Sequence, residues 1–225
     1  EEYVRGTRPE EIAVKEAELK KAEQDLKNYY VSVPSVIYAG YSKADDAVRT
    51  QTDEMFTSDE VSPILSFSTE IQIKLDAESQ RKSLVSVLDN WLASVNSVNS
   101  LSSQSVLDGK MSESKNNLIL VRNFLDTMMD AVNSSVTLSQ TSVSSYKTNI
   151  NTARTNISSA ISSLDAQMQN IASQKITVEK IKNELDLLLA GKTSEEIAAQ
   201  EAKVESARAN VLDYESQLAK SILRS

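Results

Sequence analysis

Six carboxylates crowd one stretch of the chain: Asp45, Asp46, Asp53, Glu54, Asp59 and Glu60. Carboxylates at such density can chelate Ca²⁺ or divide acid–base work between them. No Asp-x-Asp-x-Asp-Gly loop organises these six, however, and on a helix Asp45 lies one turn before Arg49, where the two pair across i and i+4. A solvated, ion-paired face is the reading they favour. Tyr29, Tyr30, Tyr38 and Tyr41 form a second cluster, read as a hydrophobic plug in preference to an aromatic ligand pocket. Trp91 stands on an apolar stripe between Leu88 and Val95, which favours core packing over a ligand platform. Met111, Met128 and Met129 suit helix cores better than a metal site.

Serine and threonine are abundant, but the chain has no His and no Cys. It therefore has no imidazole base for a Ser–His–Asp arrangement, and no thiolate nucleophile, disulfide or thiolate metal site. No enzyme activity, cofactor or metal is expected. The net charge of −8 argues against nucleic acid or an anionic membrane surface as partner, because both require a basic face. No apolar run is long enough to span a bilayer. The chain opens Glu1-Glu2-Tyr3 and reads as a piece of a longer protein.

The elements that position these residues are helices. Four Gly and three Pro in 225 residues are too few to punctuate an all-β or α/β fold. Val136, Val143, Ile150, Ile157, Leu164, Ile171, Val178 and Leu185 recur every seven residues, with Ala153, Ala160, Ile181 and Leu188 three residues on. That is a coiled-coil or bundle seam, and it predicts a helix over 137–190, about 80 Å long. Gly191-Lys-Thr-Ser-Glu-Glu reads as a helix stop and a fresh start, with Gly at C′ and Thr193 or Ser194 as N-cap; a kink is the alternative. Stripes beginning past Pro34, and at Leu84 and Leu118, predict further helices over 34–56, 74–98 and 110–134. The segment from Asp59 to Leu75, with Pro63 and alternating Ile71, Ile73 and Leu75, reads as extended, and Asn96 to Gly109 as a loop.

An internal repeat organises the whole. Gly6-Thr-Arg-Pro-Glu-Glu-Ile-Ala aligns with Gly191-Lys-Thr-Ser-Glu-Glu-Ile-Ala at an offset of 185, and the match continues through Ala22/Ala207 and Tyr29/Tyr214. The seam is kept too, since Ile12, Leu19 and Leu26 fall on Ile197, Val204 and Val211, with Leu218 one heptad further. The expected architecture is all-α: an antiparallel coiled-coil hairpin (1–30 and 191–225) with an inserted up-down helical bundle (31–190). Four helices in up-down order return the chain to the end where it entered.

The phrase from Leu187-Leu-Leu-Ala-Gly-Lys-Thr-Ser-Glu-Glu-Ile to Ala207-Arg-Ala-Asn-Val resembles the helical-hairpin segment of HlyD-like membrane fusion proteins, the adaptor subunits of bacterial efflux and secretion machines. Gly6-Thr-Arg-Pro-Glu-Glu-Ile is similar to the same phrase, and Leu218-Ala-Lys-Ser-Ile-Leu-Arg-Ser resembles the lead-in to the family's lipoyl-like β domain. The resemblance covers 1–30 and 185–225. It implies a non-catalytic spacer or channel element in an extracytoplasmic location, anchored to the cytoplasmic membrane by a segment outside this chain. It also implies an inner-membrane ABC or RND transporter as partner and lateral self-association through hairpins. The sequence departs from the family at the hairpin tip, where the Arg, Leu and Ser that dock an outer-membrane channel are replaced by 31–190, so no docking residues carry over. Two other readings of the residues stand beside it: an extracytoplasmic four-helix sensory module, and a purely structural coiled-coil protein.

Overall fold

The computed structural model describes residues 9–57, 60–191 and 194–222. It is all-α: α1 (Pro9–Asp46), α2 (Ile71–Asn96), α3 (Gln104–Asn133), α4 (Gln140–Ala190) and α5 (Ser194–Ile222). The only pairing of strand type among the described residues is an isolated antiparallel bridge between Phe56 and Leu65. Two compact units share these helices, one made of Glu1–Gln24 and Lys175–Ser225, the other of Asp25–Gln174. The division falls inside α1 and α4, between Gln24 and Asp25 and between Gln174 and Lys175.

The larger unit is an up-down four-helix bundle, and its side-chain contacts give the direction of each neighbour. Tyr41 of α1 meets Trp91 of α2 edge-on, with ring centroids 6 Å apart to the nearest ångström (5.7 Å). Trp91 Nε1 donates to Ser114 Oγ of α3 at 3.0 Å, and Ser94 donates to Glu113. Lys115 and Arg154 join α3 to α4 through Asp165 and Asp126. Lys43 of α1 donates to Ser159 of α4, which makes α1 and α4 antiparallel neighbours as well. Leu88, Leu118, Phe124, Ile150, Ile157 and Leu164 are fully buried at the centre. The heptad series of α4 is thus a real seam within this unit, from Ile150 to Ile171.

Four local expectations are corrected. Pro34 does not begin a helix; it lies inside α1. Proline withholds an N–H from the carbonyl four residues back and crowds that turn, a cost of about 3 kcal/mol in an unsupported helix. Here the turn has external support: Gln167 Nε2 donates to the Tyr29 carbonyl at 2.6 Å and to Ser32 Oγ at 3.0 Å, and Ser32 Oγ donates to the same carbonyl. Gly109 marks no loop and sits inside α3, which starts earlier because Ser103 caps it by accepting from Val106 N. Ile71 to Leu75 is helical, not extended; these residues form the first turns of α2, with Ile71 and Leu75 exposed and Ile73 half-buried. The helix expected over 34–56 ends earlier, giving way to a π turn at Ala47–Gln51 and a short 3₁₀ turn at Asp53–Met55. Gly191 agrees with its reading: φ is +69°, and α4 stops at Ala190. Thr193 lies outside the described residues.

Gly40 has no role in the sequence pattern, and the structure gives it one of fit. It is buried in α1, and a methyl group there would stand 3.6 Å from Leu118 and 3.9 Å from Leu164 and Trp91, ordinary contact distances. Gly40→Ala should therefore stabilise the protein by about 0.5–1 kcal/mol through helix propensity. A lower denaturant midpoint for the variant would show instead that the bundle needs the bare backbone there.

Candidate functional site

The acidic stretch is organised by two arginines at the end of α1. Arg49, on the π turn, donates to Asp45 at 2.8 Å, to Glu60 at 2.8 and 3.3 Å, and to Asp89 of α2 at 2.7 Å. Partial burial pulls its proton affinity down, but the bonds to Asp89, Glu60 and Asp45 outweigh that and hold it above an ordinary guanidinium. The Asp45–Arg49 pairing anticipated from the spacing is made, within a four-member knot. Asp46 accepts from Gln51.

Arg81 lies one layer deeper and is 2% exposed. Its Nη1 donates to the Val48 carbonyl and to Thr52 Oγ1, and its Nη2 donates to Asp53 at 3.0 Å. The guanidinium also stacks 4.9 Å above the Phe56 ring. Thr52 Oγ1 in turn donates to the Ala47 and Val48 carbonyls. A helix end buried in a bundle leaves carbonyls that water cannot reach, and a π turn directs them differently from an α turn. Arg81 and Thr52 supply the donors. Burial lowers the Arg81 pKa, and Asp53 partly restores it.

Sequence reasoning missed Arg81, and one signal could have found it. Ala77, Arg81, Leu84, Leu88, Trp91 and Val95 form a single buried stripe along α2. An arginine on an apolar stripe must meet buried acceptors.

Of the four tyrosines, Tyr38 and Tyr41 meet, with ring centroids 6.3 Å apart. Tyr30 is buried with its hydroxyl donating to Asp108 at 2.9 Å, Tyr41 is buried against Trp91 with its hydroxyl on Asp45, Tyr29 is half-buried and Tyr38 is exposed. Trp91, Met111 and Met128 are core residues. Among the described residues no group of three or more acidic side chains is placed to hold a metal ion, and no helix is long and apolar enough to cross a membrane. At the end of α1 the charges of Asp45, Glu60, Asp89 and Asp53 are paired with Arg49 and Arg81.

The seam residues lie elsewhere. Ile12 and Leu19 are half-buried and Leu26 is buried. In the smaller unit the neighbour of α1 is α4, where Lys15 Nζ reaches Glu184 at 3.1 Å while also pairing with Glu18. The bond to Glu18, and then the one to Glu184, raise the Lys15 pKa, and Lys15 in turn lowers that of Glu184. Ile197 is half-buried, but Val204, Val211 and Leu218 are 43%, 55% and 61% exposed. The structure thus sets Lys15 beside α4 and leaves most of the α5 stripe open. No protein-family profile, curated protein or solved structure matches the chain.

Two measurements probe the end of α1. Arg81→Ala should cost about 3 kcal/mol, because it strands buried acceptors. Asp53→Asn should cost under about 1 kcal/mol, because Asp53 is 67% exposed and screened by solvent. Equal losses in urea titrations would mean that the ion pair, not the carbonyl contact, is what matters. Tyr41 gives the second. Burial, and then the Asp45 carboxylate, raise its pKa above the ordinary value near 10. A raised folded pKa contributes stability that is complete below the unfolded value and is lost as pH climbs from there through the folded value. Wild-type Tm should accordingly fall more steeply above pH 10 than that of Tyr41→Phe; parallel curves would remove Tyr41 from the account.

Proposed function

We propose that the chain is the helical region of a membrane fusion (adaptor) subunit of a bacterial exporter, with a four-helix bundle inserted in it. The observation that carries this reading is where the family-like phrases fall. Pro9–Gln24, Leu187–Gly191 and Ser194–Val211 all belong to the smaller unit, while the bundle is contributed by one continuous insertion, 25–174. The chain enters that insertion along α1 and leaves it along α4, and α1 and α4 are antiparallel neighbours.

On this reading the chain does mechanical work. It links membrane-proximal domains to copies of itself and to an inner-membrane ABC or RND transporter, outside the cytoplasm. The charges at the end of α1 serve to hold the bundle's fold, and no chemistry is assigned to them.

The reading makes a prediction about the gene. The sequence on each side of these residues should encode half of a lipoyl-like β domain, with one transmembrane helix ahead of the first half. Expressed from that full gene, the protein should copurify from detergent-solubilised membranes with the transporter encoded beside it. Flanks encoding a kinase or a methyl-accepting signalling domain would replace this reading with the sensory one.

A further inference from the structure

One end of the larger unit is apolar where it faces water. Val136 is 81% and Ile71 is 71% exposed, and Val61, Ile64 and Leu75 are exposed with them. Hydrogen bonds hold the three segments that carry these residues together. Val136 N donates to Ser68 O at 3.1 Å, Ser68 N donates to Thr137 Oγ1 at 2.9 Å, and the Thr69 and Ser134 hydroxyls meet at 2.7 Å. The α3–α4 turn is thereby set beside the start of α2. Leu65 N donates to Glu78 of α2 at 2.9 Å, which brings Ile64 to the turn of α2 that carries Leu75. Ile71 lies one turn before Leu75 on the same face. Leu65 and Phe67, which alternate with Ile64 and Ser66, are buried, and Phe67 packs on Tyr146 with ring centroids 6.1 Å apart. The exposed aliphatic side chains therefore stand on a packed backing.

Two further features set this end apart. The first is charge. A quarter of the chain's residues are charged, yet neither 61–69 nor 131–146 contains an Asp, Glu, Lys or Arg. At the rim, Lys74 pairs with Glu78, Glu60 pairs with Arg49, Asp76 accepts from Gln72, and Glu70 is the N-cap of α2. The second is that the α3–α4 turn satisfies its polar groups from within the protein. The N–H groups of Ser134 and Val136 donate to the Asp130 and Ser68 carbonyls, and those of Thr137 and Leu138 donate to Ser135 Oγ. Water would supply such partners to an exposed turn, but hydrocarbon cannot.

We propose that this end of the bundle inserts its aliphatic side chains into the surface of an electrically neutral lipid bilayer. The chemistry favours lipid over protein as the occupant. Protein interfaces draw most of their energy from Trp, Tyr and Arg seated in matching pockets, and Leu, Val, Ser and Thr contribute little there. The patch is Val, Ile and Leu within a collar of Ser and Thr. A bilayer needs no matching shape; it rewards apolar area and penalises charge. A net charge of −8 makes anionic lipid the wrong counterpart, and neutral headgroups carry no such repulsion. The insertion reaches the boundary between headgroups and acyl chains, since no described helix is long and apolar enough to cross. It involves the larger unit alone and is independent of the adaptor reading.

The chain has no cysteine, so one introduced thiol can carry a polarity-sensitive fluorophore at a chosen place. The fluorophore goes on Val136→Cys in one sample and on Leu101→Cys in a second. Leu101 is exposed in the α2–α3 connection, at the opposite end of α2 from Ile71. With phosphatidylcholine vesicles, emission from position 136 should shift to the blue and brighten, and emission from position 101 should not. Adding Ile71→Asp to the first chain should weaken partitioning by at least about tenfold, because a carboxylate would have to leave water. Adding phosphatidylserine to the vesicles should not strengthen it. All three variants change exposed side chains, and circular dichroism checks that their helices are intact.

No shift at position 136 overturns the insertion and leaves the patch to a protein partner. An equal shift at both positions overturns it too, because adsorption would then have no preferred end. Partitioning that survives Ile71→Asp unchanged, or that requires phosphatidylserine, has the same consequence.

Discussion

Arg81 on the Val48 carbonyl is the contact on which the larger unit depends. A helix that ends inside a bundle presents carbonyls to an apolar interior, and each one left without a donor costs about 1–3 kcal/mol. α1 ends in this way: Ala44, Ala47 and Val48 are fully buried, and the chain must then cross the end of the bundle to reach α2. Arg81 and Thr52 make that crossing tolerable by donating to the last carbonyls. The outer knot of Arg49 with Asp45, Glu60 and Asp89 then ties α1, the crossing segment and α2 together where solvent screening is stronger. The rest of the crossing is held by main-chain bonds, with Thr57 N donating to Ile64 O, Ser66 N to Met55 O, and Val136 N to Ser68 O. Those bonds need a fixed end of α1 from which to start.

The features legible in the sequence are the ones that repeat. The seven-residue spacing on α4 predicts a helix starting at 137, and the helix starts at Gln140; it predicts a stop at Gly191, and the backbone there is left-handed. Periodicity works because a helix face averages over many residues, so no single one decides it. The features that were not legible depend on partners distant in sequence. Pro34 is a local stop signal, yet α1 runs through it, in a turn whose Tyr29 carbonyl accepts from Gln167, 138 positions further along the chain. Arg81 is a polar letter in an apolar stripe, and its meaning depends on carbonyls of a different helix. Gly109 and the alternating Ile71, Ile73 and Leu75 carry loop and strand signals that a well-placed N-cap and an exposed first turn outweigh.

The acidic stretch shows the same limit from the opposite side. Six carboxylates close together in sequence invite a cation site, yet Asp45, Glu60 and Asp53 are each turned toward an arginine. Two of those carboxylates sit on segments that the helix end has to hold, so their charges serve the crossing. Charge density in a sequence identifies a place where electrostatics matter. Which cation answers it is decided by packing.

The smaller unit poses a problem of economy in the sequence itself. α1 and α5 share Glu-Glu-Ile-Ala, a later Glu-Ala and a Tyr in one register. Shared letters at a shared heptad phase mean that both helices present the same shape to a neighbour. Along α1 the stripe is buried at Ala22 and Leu26, whereas its counterparts on α5, Ala207 and Val211, are exposed. Scattered apolar residues on a surface are ordinary, but a whole stripe of them at coiled-coil spacing is not. Valine at 204 and 211 gains nothing by facing water and lowers helix propensity relative to the Lys, Glu and Arg around it. The stripe costs α5 stability as an isolated helix.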